Sequence, residues 1–366
     1  MALFYKPGMK SVTPFFICFL LIACGQNNQG GSNIAIDSTA LKPVVITDKV
    51  FDDSDDPAIW IDKNNKANSI IVGTDKHSKN GGLYVFTLNG KIDSARTITG
   101  LKRMNNVDIA YGLKMENSFV DIAVATERDR NMIRVFSLPG MKEIDNGGIE
   151  VFKNESERSP MGIALYKRPS DSAIFAIVSR KFGPTEGYLE QYLLTDAGNK
   201  KVTGELVRKF GRFSGKKEIE SIAVDNELGY VYYSDEQTGI RKYYADPSKG
   251  DGELALFGQA EFKEDNEGIS IYKFDDGTGY ILVSDQSANR FNIYPREGRA
   301  SDPHLHKLIT SIPASTQQSD GSDVTSESLP GFEGGLFVAM STDGTFQLYR
   351  WKDIADKAGL RTNASN

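Results

Sequence analysis

Short apolar stretches separated by polar turns recur along this chain in a constant order. A unit that opens on polar residues and turns apolar is found six times, at 56–61, 108–111, 161–166, 220–224, 267–272 and 320–324. Successive starts lie 52, 53, 59, 47 and 53 residues apart, a period in the range of propeller blades. Behind each unit comes an apolar run that ends polar, for example SIIVGT at 69–74 and YILVS at 280–284. A third stretch alternates apolar and polar residues and closes on an aromatic, at Phe86, Phe136, Tyr192, Tyr243, Tyr294 and Tyr349. These are β-strand patterns. Fourth strands are weaker, with candidates at 92–98 and 205–210, and there is no long amphipathic helix. Three or four antiparallel strands repeated six times predict an all-β chain folded as a six-bladed β-propeller. A pair of β-sandwich domains would leave the shared period unexplained. The segment 43–47 is expected to close the ring by pairing with the last blade.

The first residues follow another pattern. Lys6 and Lys10 precede an apolar run at 15–22, and LIAC at 21–24 matches a bacterial lipobox. Residues 1–24 therefore read as a lipoprotein signal peptide, with Cys24 as the acylated residue. An ordinary signal peptide with a coincidental cysteine is the alternative. The run is too short for a permanent span, which takes about 20 apolar residues. GQNNQGGS at 25–32 makes 25–41 a flexible tether and 42–360 a single domain. The domain is expected in the cell envelope, held at the outer membrane or cell surface by lipid alone. Both cysteines, Cys18 and Cys24, fall in the leader, so the domain has no internal disulfide. A net charge of −6 argues against nucleic acid as a partner, and a monomer is expected.

The repeat also carries chemistry. In a propeller the start of the first strand and the end of the second lie on one face. Five of the six unit starts are acidic (Asp56, Asp108, Glu220, Glu267 and Asp320), with Asp55 and Asp265 beside them. The second strands end in Asp75-Lys76, Glu127-Arg128, Arg180-Lys181, Asp235-Glu236 and Asp285-Gln286. One mouth of the channel is thus expected to carry dense carboxylates with cations interleaved. Clustered carboxylates repel unless neutralised, and hard oxygen donors in such number suit Ca2+. Zinc and copper are disfavoured, because the domain has no thiol and only three scattered histidines, His77, His304 and His306. Acids that cap turns and hold structural calcium alone would explain the carboxylates but not the interleaved lysines and arginines. Calcium beside such cations attracts phosphate esters and can stabilise charge on a transferring phosphoryl group.

Several motifs resemble those of the β-propeller phytases, the alkaline, calcium-dependent phytases. They are DDSDDPAIW at 52–60, NNVDI at 105–109, EQY at 190–192, DNEG at 265–268 and GLFVA at 335–339. The resemblance implies calcium-site roles for Asp55, Asp56, Asn105, Asp265, Glu267, Gln286 and Asp320, to which the repeat adds Asp108. It implies that Glu220 and Glu236 hold active-site calcium and the attacking water, and that Lys76, Arg128 and Lys181 hold substrate phosphates. Their neighbours His77 and Arg180 are assigned to the substrate with them. The implied reaction is hydrolysis of myo-inositol hexakisphosphate without a phospho-enzyme. Met161 departs from the family pattern, which has a tyrosine there. Another propeller hydrolase with a single axial calcium, or a module that binds phosphorylated ligands without cutting them, are the competing readings.

Overall fold

The computed structural model describes residues 1–5, 8, 34–116 and 118–363. The signal segment around the lipobox and Cys24 itself lie outside the described residues. From Ile34 onward the chain forms six antiparallel sheets. Blade one comprises Ser54–Trp60, Ile70–Asp75, Gly81–Thr87 and Ile98–Leu101, numbered outward from the channel. Its outer strand starts where the candidate at 92–98 ends; Ile92 makes only an isolated bridge to Phe86. The inner strands of blades two to six are Met104–Met115, Pro160–Lys167, Ile222–Asp225, Asn266–Lys273 and Ser322–Thr325. Blade three has the longest outer pair, Glu186–Gly198 with Lys201–Arg212, which contains the candidate at 205–210.

The ring closes as expected. Val45 and Ile46 pair with Leu348 and Gln347, completing the sixth sheet with a strand from the start of the domain. Radial closure leaves the blades only short, protected edges. The end of the expected tether already belongs to the fold: the Leu41 amide donates to the Pro313 carbonyl at 2.9 Å, and the Leu41 carbonyl accepts from Ser315.

The core is radial. Each of six buried apolar clusters fills one seam between adjacent blades. Second strands such as 70–72, 122–125 and 281–283 are therefore covered on both faces, and unbroken apolar sequence is what such burial requires. The α-helix among the described residues, Trp351–Ala358, follows the last strand. Its Trp351 stacks on Tyr272 with ring centres 3.7 Å apart. No helix among the described residues is long and apolar enough to cross a membrane.

Candidate active site

Strand pairing decides which residue each blade presents at the channel mouth. Ser54 faces Asp75 while Pro57 faces Gly73, so the inner strand holds one residue more than its partner between these pairs. The same slip occurs between Met104 and Val107, Pro160 and Ile163, and Asn266 and Ile269. Such bulges re-aim side chains beside functional sites. By this register the equivalent rim residues of blades one to six are Asp55, Asn105, Met161, Glu220, Glu267 and Asp320. Contacts join several of them. Asn105 Nδ2 donates to Asp55 Oδ2 at 2.9 Å and also to Glu220. The Lys76 ammonium lies 2.9 Å from both Asp55 and Asp320, and Gln286 donates to Asp320.

Two residues expected in this ring lie deeper. Asp56 accepts from the Val107 amide at 3.0 Å, and Asp108 from the Leu165 amide at 2.6 Å, each clamping the inner strand of the next blade. Both line an axial cavity of about 170 Å³ together with Asp323. Asp108 is therefore not a ligand at the mouth. Asp56 and Asp108 stand one and three residues beyond Asp55 and Asn105, the rim residues of their strands, so aligning the repeats on these two acids misses the register that pairing sets.

A second circle comes from the ends of the second strands, where side chains alternate in direction. Asp75, Glu127, Asp235 and Asp285 are buried and face away from the mouth, accepting from amides of Asp53, Lys102, Ser214 and Lys263 in the preceding loops. Their successors Lys76, Arg128, Glu236 and Gln286 turn inward. Arg180 occupies the outward position in blade three, which corrects its assignment to substrate. Only 2% exposed, it donates to the Glu157 carbonyl and packs over Phe152. Lys181, its successor, faces the mouth and meets Glu218 at 2.6 Å. Arg128 reaches Asn105 Oδ1 at 3.3 Å. His77 sits at the rim, its ring edge-on to Phe51 and its Nδ1 accepting from the Asn80 amide. Cations thus come from the second strands of blades one to three, and acid and amide from those of blades four and five.

Hydroxyl groups hold this arrangement in register. Thr74, Thr126, Ser179, Ser234 and Ser284, one residue before the outward position, donate across the seam to carbonyls of Asn105, Met161, Ile219, Glu267 and Ser319, at 2.6 to 2.7 Å. A recurring Thr or Ser at the end of each apolar run was the sequence signal for these contacts. Lys217 and Glu218 had no such signal, because they sit in the connecting loop ahead of blade four. Glu218 nevertheless joins Glu220 and Glu236, with carboxylate oxygens all within 4.8 Å of one another. Lys217 lies 2.9 Å from Glu236 and 2.6 Å from Asp265.

The mouth holds more negative charge than its lysines neutralise. Burial, opposed by Lys76 and reinforced by Glu220 and Asp320, raises the Asp55 carboxyl well above its usual range. Burial also raises Glu220, Glu236 and Glu267, and for Glu267 the charges of Glu236 and Glu220 add to it. Oε1 of Glu236 and Oε2 of Glu267 accept no hydrogen bond, and Oε2 of Glu236 meets only the Lys217 ammonium. Buried acceptors normally find a partner, so these oxygens fit a cation. The carboxylates of Asp55, Glu220, Glu236, Glu267 and Asp320 offer only oxygen and suit a hard divalent ion, while the amides of Asn105 and Gln286 turn their nitrogens toward Asp55 and Asp320.

A propeller whose mouth sets buried carboxylates against lysine and arginine is built to act on anionic esters. Residues 25–362 match the family model described as phytase, and the chain belongs to the phytase family. It is 30% identical over 327 residues to 3-phytase of Bacillus subtilis (strain 168), covering 84% of this chain and 82% of that protein. Among solved structures, the Dos1 propeller is similar over 81% of this chain and 67% of its own, at 13% identity and a TM-score of 0.41. The chain is a phytase, a phosphoric monoester hydrolase.

Close backbone approach supports one of the acids. A Cβ on Gly162 would lie 2.1 Å from the Glu220 carbonyl oxygen. Gly162→Ala is expected to push Glu220 out of place and lower turnover on phytate roughly tenfold or more, since small misplacements of positioned groups are costly. Steady-state kinetics check this, and an unchanged kcat would show that the seam yields without moving Glu220.

Proposed function

We propose that this phytase is calcium-dependent and hydrolyses myo-inositol hexakisphosphate by direct attack of water on one phosphate. The observation that carries this reading is the cluster of buried carboxylates in which Oε1 of Glu236 and Oε2 of Glu267 have no protein donor and Oε2 of Glu236 meets only the ammonium of Lys217. Asp55, Glu220, Glu236, Asp265, Glu267, Gln286 and Asp320, with Asn105, would hold several ions. Bound calcium would neutralise phosphoryl oxygens and lower the pKa of a coordinated water.

The chain's own residues account for the rest. Lys76, Arg128 and Lys181 grip phosphate oxygens from blades one to three, with His77 at the rim. Arginine suits two oxygens at once and lysine a single point of charge. Two neighbouring phosphates of one inositol ring would be held together, one cut and the other anchored. Glu220 and Glu236 orient the water on the opposite side. As its oxygen bonds to phosphorus, the bond from phosphorus to the inositol oxygen breaks; one proton of the water ends on that oxygen by exchange through solvent, and the remaining hydroxyl stays on the released phosphate. The lipobox at 21–24 supports action outside the cytoplasm, on a lipid tether through Cys24.

Phosphate release from phytate should depend on added calcium, fall to background in excess chelator, and not be restored by zinc. The melting temperature should fall in chelator as well, because an ion bound by the native state alone adds stability. Full activity in chelator would overturn the calcium assignment and leave the phytase assignment standing.

A further inference from the structure

The cations of the mouth are unevenly placed, and Lys217 breaks the pattern. Lys76, Arg128 and Lys181 come from the ends of second strands, and Lys76, like Lys217, bridges two acids, Asp55 and Asp320. Lys217 enters instead from the loop ahead of blade four, among the acids. Its ammonium lies 2.9 Å from Glu236 Oε2 and 2.6 Å from Asp265 Oδ2. Glu236 is fully buried, whereas the Lys217 side chain is 37% exposed on a flexible stem. Asp265 is held from its other oxygen by Gln237 Nε2 at 2.9 Å. The carboxylates are therefore positioned by the fold, and the ammonium is the mobile partner.

We propose that Lys217 is an internal counter-ion that competes with calcium for Glu236 and Asp265, and so sets the calcium concentration at which this site fills. This inference rests on the calcium reading above. Without metal, the ammonium offsets repulsion between Glu236, Asp265 and Glu267. A divalent ion entering between Glu236 and Asp265 competes with it, because the ammonium and the ion repel each other at so short a distance. The exposed stem lets the ammonium swing outward, where it joins the cations facing substrate phosphate.

The test uses calcium alone as the probe, with titration calorimetry and thermal melts on the purified domain, without phosphate and at constant ionic strength. Lys217→Gln should bind calcium about tenfold more tightly than wild type, a difference of ~1.4 kcal/mol. Its metal-free form should melt at a lower temperature, and saturating calcium should raise that temperature by more than in wild type. Lys217→Arg, which keeps the charge, should bind calcium as wild type does. A merely structural lysine would give the opposite sign, since its loss would loosen the site and weaken calcium binding. Equal or weaker binding by Lys217→Gln, with wild type binding normally, would overturn the inference alone. Absence of calcium binding in wild type and both variants would overturn the calcium assignment and this inference with it.

Discussion

Glu236→Gln should lower turnover on phytate by roughly a hundredfold or more, as loss of one key electrostatic contact in a transition state typically does. The amide keeps the shape of the carboxylate and removes its charge. Glu236 is fully buried, and Oε2 meets the ammonium of Lys217 at 2.9 Å while Oε1 accepts no hydrogen bond. Its removal should therefore change the melting temperature of the metal-free protein little, since losing the contact with Lys217, which keeps Asp265, is offset by removing a buried charge. Glu220→Gln should also cost turnover, but with some loss of stability, because Glu220 accepts from Asn105 at the rim. Kinetics and thermal melts on both variants separate the two effects. Wild-type turnover in both would place the reacting phosphate away from blade four.

Arg296→Ala should destabilise the protein by about 3–5 kcal/mol, the usual cost of leaving a buried charge without its partner. Arg296 and Asp225 are both fully buried, and the guanidinium meets the carboxylate through two bonds, Nε to Oδ2 at 2.6 Å and a second nitrogen to Oδ1 at 2.7 Å. A third bond runs to Glu227 at 2.7 Å. The group joins the hairpin turn of blade four to the end of the third strand of blade five, on the face opposite the mouth. The melting temperature should drop by many degrees while kcat at low temperature stays unchanged. Replacing both partners by apolar residues of similar size, Arg296→Met with Asp225→Leu, should recover much of the loss, because no charge is then stranded. An unchanged melting curve for Arg296→Ala would mean that water replaces the guanidinium at Asp225.

The repeat of apolar runs and aromatic strand ends was enough to specify blade number, strand order and ring closure. Each of those features depends on local alternation and on a common period, and both are written in consecutive residues. The identity of the acidic mouth was legible for the same reason, since Glu220, Glu236, Glu267 and Asp320 recur at equivalent places in the repeat. What only the tertiary structure decided is direction and pairing. Asp55 and Asn105 reach the rim at bulges in their strands, while Asp56, one residue on, and Asp108, three residues on, lie deeper in the channel, a placement set by pairing with the second strand. Alternation at the strand ends turned Arg180 into blade three and Lys181 into the mouth, because one residue along a strand reverses the side chain. Lys217 meets Asp265 across 48 residues of chain; with no repeat to mark its loop, only the packing of blade five against blade four brings the two together.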